Sequence, residues 1–571
     1  RRRSRTSGTR RVSFRPPTCG ASGPAAGPGH GALNAFIASF AIGVGGTGWL
    51  LQGEVFPTAV RGQAAAIAAS VDWVANFALI EVFPTWQPEV ANVRASDALL
   101  SHEAPAIVAV ANRLPVRHGD DGWELSPGGL VTALRPVIAS QAGAWVGWDG
   151  GTRGIPPALP DLGVQLLPVR LSAAQLRDYY HGLANATLWP LLHDAIEKPR
   201  FERAWWHSYR QVNTAFADRA LAALSERPGA LAWVHDYQLM LVPRLIRERQ
   251  PDRPVGFFLH VPWPSPDIFA RLPWRQEILL GLLGADVVSF HTERYRANFL
   301  QACGRLLGGT GVQVAGSAIK MPDQRVVSTT SAPISIDAAE FTRLACDRET
   351  GQEIQALRQQ FAGRALLLGV DRLDYTKGIV ERLLAIEALL ERRADLRSKL
   401  AFVQVAVPSR DDVREYRNLR AAVERHIGRI NGRFTEPGSD VPVHYLYRGL
   451  PQVQLAAYYA VAATLLVTPL IDGMNLVAKE YVTVQQARRG SGSLVLSEFT
   501  GAADELREAV PCNPFDVEGL SQRIEHALGL PVATRRAALA AMARHVRKHD
   551  VHRWVTGQLA EVASRGCAAP A

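Results

Sequence analysis

What most limits the folds open to this chain is a rhythm that starts at Ala104, where short apolar runs alternate with amphipathic stretches of helical length. Runs at 106–111, 145–148, 165–169, 231–234, 255–259 and 287–290 are predicted strands, and a second series follows at 365–370, 400–407, 443–446 and 464–467. Helices are expected at 126–138, 379–391, 411–427 and 475–486. Strands that are apolar throughout and separated by helices build a mostly parallel sheet covered on both faces. A less regular stretch at 308–331 precedes the second series. The expected class is therefore α/β, with two doubly wound, Rossmann-like domains facing across a cleft. Ligands of such sheets bind beyond the carboxyl ends of the strands.

The most informative strand exit is Pro469-Leu-Ile-Asp472-Gly473-Met474-Asn475-Leu476-Val477-Ala-Lys-Glu480-Tyr481. Pro469, Asp472 and Gly473 break the strand, and a helix begins near Asn475. Free backbone N–H groups at a helix start attract anions, and a glycine lets a ligand come close to the main chain. Glu480 lies roughly 7–8 Å further along the axis, about the span from a diphosphate to a nucleotide sugar. It suits a ribose diol, with Asp472 holding hydroxyls of a second sugar. The plainer alternative is that Asp472 caps the helix and Glu480 pairs with a surface cation. A second exit, Gly369-Val-Asp371-Arg372-Leu-Asp374-Tyr-Thr-Lys377-Gly378, puts two cations on a short loop at the same sheet edge. A guanidinium fork and an ammonium together suit a diphosphate. Arg113, Asp236 and His260 follow other strands, while Tyr180 and Arg410 carry no specific signal alone.

Composition narrows the function classes. The 571 residues are 47% hydrophobic, enough for two or more cores, with a formal net charge of +10. Arg1, Arg2, Arg3, Arg5, Arg10 and Arg11 supply much of that excess, so it does not argue for nucleic acid as a partner. The cysteines (Cys19, Cys303, Cys346, Cys512 and Cys567) are scattered, with no pair spaced for zinc or dithiol chemistry, and fit a reducing cytoplasm. Residues 1–30 read as a disordered Arg/Gly/Pro-rich leader. An uncharged run at 33–52 is long enough to cross a bilayer, and a less apolar one follows at 64–80. With Gly53-Glu-Val-Phe-Pro57, Val60-Arg-Gly62 and Phe83-Pro84, this segment resembles the last helices of sugar-porter transporters. It is too short to enclose a substrate path, so a remnant or misjoined frame is expected; membrane association of 31–90 stays open.

Together, Asn112-Arg113-Leu114-Pro115, Ser126 to Thr132, Tyr179-Tyr180, Asn185 to Pro190, His235 to Gln238, Phe257 to Pro262, Arg372 to Gly378, Asp472 to Tyr481 and Leu496 to Ala503 resemble the trehalose-6-phosphate synthases, the actinobacterial ones most. The resemblance implies a GT-B fold and transfer of glucose from UDP-glucose to glucose 6-phosphate, with retention, without metal or cofactor. It implies that Arg372 and Lys377 bind the donor diphosphate with the Gly128-Gly129 backbone, and that Glu480 holds the ribose. Asp472, Gly473, Met474, Asn475, Leu476, Val477 and His260 would surround the donor glucose, with Leu450 at the uracil. Arg113, Tyr180 and Arg410 would bind the acceptor phosphate, and Asp236 and Trp189 the acceptor sugar. Arg372, Lys377, His260 and Asp236 are the catalytic candidates. Ile471 departs from the family, which has Arg there. The resulting division is a leader (1–30), a transporter-like helical segment and linker (31–103), an acceptor domain (104–345), a nucleotide-sugar domain (346–535), and a C-terminal helix returning to the first domain (536–571). A homo-oligomer and a separate phosphatase are compatible partners. The alternatives are a transferase using ADP-glucose or a glycerol-phosphate-type acceptor, and a non-catalytic sugar-phosphate-binding regulator.

Overall fold

The computed structural model describes residues 106–119, 122–125, 143–150, 163–410, 413–436 and 438–566. The expected leader, the transporter-like helices, the 126–138 helix and the Gly128-Gly129 pair lie outside them. In the first lobe the strands are β1 (Ile107–Arg113), β2 (Val116–Gly119), β3 (Gly122–Leu125), β4 (Ala144–Trp148), β5 (Gln165–Val169), β6 (Leu231–His235), β7 (Val255–Phe258), β8 (Val287–Phe290), β9 (Gln313–Ala315), β10 (Ala318–Lys320) and β11 (Val326–Ser331). All but the β2–β3 hairpin join one nine-stranded sheet, ordered β5-β4-β1-β6-β7-β8-β11-β10-β9. The second lobe has β12 (Ala365–Arg372), β13 (Leu400–Val407), β14 (Val443–Leu446), β15 (Thr464–Val467), β16 (Ser493–Ser497) and β17 (Val510–Cys512), ordered β14-β13-β12-β15-β16-β17.

Both sheets reverse direction of growth at their first long strand. From β1 the chain builds outward to β4 and β5, then returns to lay β6 on the other side, with Ile107 opposite Leu231. From β12 it builds to β13 and β14, then returns to β15, with Leu367 opposite Thr464. A crevice opens at the carboxyl end wherever the order reverses. The exits that matter are those after β1, β6 and β7 in one lobe and after β12 and β15 in the other. The stretch read as irregular at 308–331 instead contains β9, β10 and β11. There β11 runs parallel to β8, while β10 pairs antiparallel with β11 and β9. Exposed β9 has no apolar run to announce it.

The chain passes from one lobe to the other just after β11. Helix Ala338–Cys346 already packs on helices Gln452–Val461 and Leu476–Ala487 of the second lobe, ahead of the boundary at 345 read from sequence. Helix Val532–Lys548 also packs on Leu476–Ala487, so only the last helix, Val551–Gly566, returns to β7 and β8. Its start is tied to the crossover: the Val551 N–H donates to Ile336 O at 3.1 Å, and Trp554 Nε1 donates to Ala332 O at 3.1 Å. Lys479, fully buried, donates to Ile334 O at 2.8 Å and pairs with Glu505 at 2.6 Å, fastening the crossover to the second lobe.

Under the exit from β12 lies a buried polar knot. Arg382 has no exposed surface and donates to Asp371 Oδ2 at 2.6 Å, Gln404 Oε1 at 2.8 Å and Thr468 Oγ1 at 3.0 Å. It binds the first turn of helix Ile379–Arg392 to β12, β13 and the end of β15. Removing one partner of a buried pair strands the other's charge. Arg382→Met is therefore expected to cost about 3–5 kcal/mol in urea unfolding, and Arg382→Met with Asp371→Leu to cost clearly less.

Candidate active site

The loop after β12 is set by its own side chains. The strand runs two residues beyond the predicted end, so Arg372 is its last residue and not a loop residue. Asp374 then caps a short 3₁₀ turn, Tyr375–Lys377, accepting from the Thr376 N–H at 3.0 Å and Thr376 Oγ1 at 2.9 Å. Gly378 follows at φ +61°, where a Cβ would strike the Thr468 carbonyl, so no other residue fits. This turn aims Lys377 at the loop after β15, where Nζ donates to Asp472 Oδ2 at 2.6 Å. Arg372 goes elsewhere. Its side chain is exposed, and its guanidinium lies 5.4 Å from the Trp189 ring centre, against the first lobe. The two cations expected to share one diphosphate are thus divided, Lys377 against the loop after β15 and Arg372 over Trp189.

In the loop after β15 Asn475, at φ +86°, caps helix Leu476–Ala487, accepting from the Ala478 N–H at 3.2 Å. Asp472 is the counter-ion of Lys377 and also accepts from Asn475 Nδ2 at 3.2 Å. Burial favours the protonated acid, but Lys377 outweighs it and holds the Asp472 carboxyl below its ordinary value. Glu480 meets no surface cation: the Tyr459 hydroxyl donates to Oε2 at 2.8 Å. Burial pushes its carboxyl up to about 7, only partly offset by that hydrogen bond. Leu476 and Val477 are half-buried in the first helical turn, as is Leu450 in the loop after β14. Met474 is buried, its carbonyl accepting from the Ala502 N–H at 2.9 Å, and Ile471 is buried as an apolar residue. At Gly473 the fold itself requires the glycine. A Cβ there would lie 2.5 Å from the His260 carbonyl and 3.2 Å from the His291 ring, so the glycine is what lets the two lobes touch. Close by, Tyr295 of the first lobe donates to Asp472 O at 2.9 Å.

The first-lobe residues come from three elements. Arg113 ends β1, its guanidinium 4.9 Å from the Trp148 ring centre and 5.6 Å from that of Tyr180. Tyr180 lies in a π-helix, Leu176–Leu188, a form usually confined to single turns and frequent at functional sites. Its widened register closes at the Trp189 N–H, which bonds Ala184 O five residues back, and Asn185 Nδ2 donates to Tyr180 O at 2.7 Å. Burial raises the Tyr180 phenol, yet Arg113, Arg410 and Arg372 outweigh it and lower the pKa. Guanidinium groups from both lobes therefore converge on this one hydroxyl. Asp236 follows β6 at φ 74° and ψ 167° and accepts from the His260 N–H at 3.2 Å. Burial lifts its carboxyl to about 6, against those hydrogen bonds and the charges of Arg372 and Arg410.

Arg410 joins the lobes. Its guanidinium sits 4.1 Å from the Trp189 ring centre, donates to Tyr237 Oη at 3.3 Å, and meets Asp374 and Tyr416 in its own lobe. Tyr237 in turn donates to Asn185 Oδ1 at 2.9 Å. Asp374, Tyr416, Tyr237, His193 and Tyr459 were not singled out from the sequence. Asp374 and Tyr237 stood inside motifs already quoted, but Tyr416 and Tyr459 are helix residues with no local signal. His193 stacks on Trp189 at 4.1 Å, and burial lowers its imidazole to about 4. The site thus offers two anion-seeking regions, one at Arg113, Tyr180 and Arg410 and one at Lys377 and the start of helix Leu476–Ala487, with Asp236 and His260 in the same cleft wall.

Known proteins share this architecture. A model described as Glycosyltransferase family 20 matches residues 105–564, and one described as Sugar (and other) transporter matches residues 30–94. Trehalose-6-phosphate synthase of Mycolicibacterium smegmatis is 45% identical over 471 residues, covering 80% of this chain and 92% of that protein. Among solved structures, trehalose-6-phosphate from E. coli bound with UDP-2-fluoro glucose superposes with a TM-score of 0.73 at 31% identity, covering 82% of this chain and 100% of that one. The UDP-forming alpha,alpha-trehalose-phosphate synthase from Burkholderia xenovorans in complex with glucose-6-phosphate gives 0.71 at 32% identity, covering 79% and 98%. With both lobes, the cleft and almost the full length of these enzymes accounted for, the chain belongs to glycosyltransferase family 20.

Proposed function

We propose that this chain transfers glucose from UDP-glucose to the anomeric hydroxyl of glucose 6-phosphate, with retention, releasing UDP and α,α-trehalose 6-phosphate. The observation that carries this reading is the pairing of two anion-seeking regions across one cleft, each on a different lobe's sheet reversal. Arg113, Tyr180 and Arg410 suit the phosphate of a sugar phosphate. Lys377, with the N–H groups that open helix Leu476–Ala487, suits a diphosphate. Glu480 lies along that helix where the ribose diol falls, and Tyr459 leaves one of its oxygens free to accept. Its about-7 carboxyl makes donor binding depend on pH.

As the glycosidic bond loosens, negative charge grows on the UDP oxygens and positive charge on the sugar ring. A cation already in place stabilises that state more than the ground state. Lys377 is such a cation, held by Asp472 until an incoming diphosphate competes for it. Arg372 would swing from Trp189 toward the same phosphates as the lobes close on substrate, supplying the charge that a divalent ion would otherwise bring. Trp189 and Asp236 would then position the acceptor sugar, and His260 the donor glucose. The leaving phosphate is proposed to take the acceptor's proton on the face from which it departs, which preserves configuration without a protein nucleophile. We place this reaction in the cytoplasm, with a separate phosphatase consuming the product; no helix among the described residues is long and apolar enough to cross a membrane.

A donor and acceptor panel tests the assignment: UDP release with UDP-glucose and glucose 6-phosphate should exceed that with ADP-glucose or glycerol phosphate, and should persist in EDTA. Activity abolished by chelation and restored by magnesium would overturn the metal-free mechanism. Lys377→Ala is expected to lower kcat by about 10²–10³, the usual loss for a transition-state charge partner, and wild-type turnover would remove Lys377 from the mechanism. Below its pKa Glu480 is a neutral acid, which accepts from the ribose diol more weakly than the carboxylate. The KM for UDP-glucose should therefore climb as pH falls through about 7, and Glu480→Gln should flatten that dependence.

A further inference from the structure

His235, His260 and His291 stand in a row at the ends of β6, β7 and β8, with ring centres 5.4 Å apart for the first pair and 5.5 Å for the second. Trp233, Phe258 and Trp554 wall this row, their ring centres 4.6 Å from His235, 4.7 Å from His260 and 6.1 Å from His260, respectively. In such surroundings the imidazoles stay neutral. Burial first, and then a neighbouring His, lowers His235 and His260 well below the ordinary value, while burial and the Lys479 charge bring His291 to about 3.

His235 is fully buried, its Nδ1 lies 3.2 Å from His260 Nε2, and its own Nε2 has no hydrogen-bond partner. Two neutral rings share one proton across that contact, which allows only two arrangements. If His260 Nε2 donated, His235 would accept at Nδ1 and carry its proton on Nε2, burying an N–H with nothing to receive it. If His235 Nδ1 donates, its Nε2 is left as a bare lone pair. Buried orphan N–H groups are rarer than under-used acceptors, so the second arrangement prevails. His260 then accepts at Nε2 and, being neutral, bears its proton on Nδ1. Unlike His235 it is only partly buried, and its carbonyl lies against Gly473 of the donor loop, so the ring stands at the cleft.

We infer that His235 is a positioning residue that fixes His260 in the Nδ1–H tautomer, so that His260 offers the donor sugar an N–H and not a lone pair. The inference rests on the reading of His260 as a contact of the donor glucose. Losing the orienting bond frees the ring to present either nitrogen, at a cost confined to the sugar half of the donor.

Steady-state kinetics on the full chain separate this from packing. In His235→Leu, kcat/KM for UDP-glucose is expected to fall ~10-fold, about the worth of one hydrogen bond, while inhibition by UDP stays unchanged. Unchanged UDP inhibition also reports that the variant has folded around an intact nucleotide site. His235→Asn, which keeps an N–H at the δ position, is expected to recover most of the loss. A packing role gives the opposite order, with Leu tolerated and the smaller, polar Asn worse; that order, or wild-type kinetics in His235→Leu, overturns the inference. The tautomer itself is read without relying on either variant, from ¹⁵N-histidine NMR of the wild-type protein with His260 assigned by its absence in His260→Gln. A protonated Nδ1 supports the inference and a protonated Nε2 overturns it. His260→Gln separates the two claims. Unimpaired use of UDP-glucose there removes the sugar contact itself, whereas impaired His260→Gln beside unimpaired His235→Leu removes only the positioning role.

Discussion

Four side-chain cations, Arg113, Arg372, Lys377 and Arg410, line this cleft, and one buried carboxylate feels the charge of three of them. Asp374 is fully buried, and burial alone would favour its neutral form. Arg410, Arg372 and Lys377 reverse that and hold it at about 2, so it stays ionised at any pH at which the protein works. Its remaining oxygen capacity is spent on Thr376 and the Tyr416 hydroxyl, at 2.9 Å. A buried anion satisfied this fully anchors cations without neutralising them toward a ligand, because each cation keeps N–H groups directed elsewhere. Lys377 has a direct counter-ion in Asp472 at 2.6 Å, whereas the Arg372 guanidinium lies over the face of Trp189 and feels Asp374, Asp236 and Tyr180 through their charges.

The same economy governs how the lobes meet. Across the cleft the lobes touch at Gly473 against His260, at Tyr295 on the Asp472 carbonyl, and at Arg410 on Tyr237 and Trp189. Each of these residues adjoins or belongs to the candidate site. The residues that join the lobes and the residues that line the candidate site are therefore largely the same.

Much of this was legible in the sequence for a plain physical reason. Strands buried on both faces must be apolar throughout, so β8, β13 and β15 announce themselves to the residue, and the parallel sheets follow from the helices between. Exposed β9 and the hairpin it forms with β10 carry no such signature. The site was legible where a charge or glycine stands at a strand exit, as at Lys377 and Asp472. It was not legible where function depends on a partner far along the chain. Nothing near Tyr416 says that it will reach Asp374, 42 residues away, and nothing near Tyr459 says that it will hold Glu480. Gly473 was noticed in the sequence, but nothing near it says that the first lobe, at the His260 carbonyl, would also leave no room for a Cβ.

Three of the site's residues also carry unusual backbones, as do Asp194, Ala195, Gln324 and Arg489 elsewhere among the described residues. Asp236, at φ 74° and ψ 167°, occupies a region left almost wholly to glycine, and Arg410 and Asn475 hold φ values of +53° and +86°. Each such conformation costs of order 1–3 kcal/mol and persists only where the surroundings over-determine it. Those surroundings can be named: the His260 N–H on Asp236, the Tyr237, Tyr416 and Asp374 groups on Arg410, and the Ala478 N–H on Asn475. Relaxing any of these backbones would turn the Asp236 carboxylate, the Arg410 guanidinium or the Asn475 cap away from the positions they hold at the cleft. The strain is thus borne by the fold itself, which fixes these three groups in place.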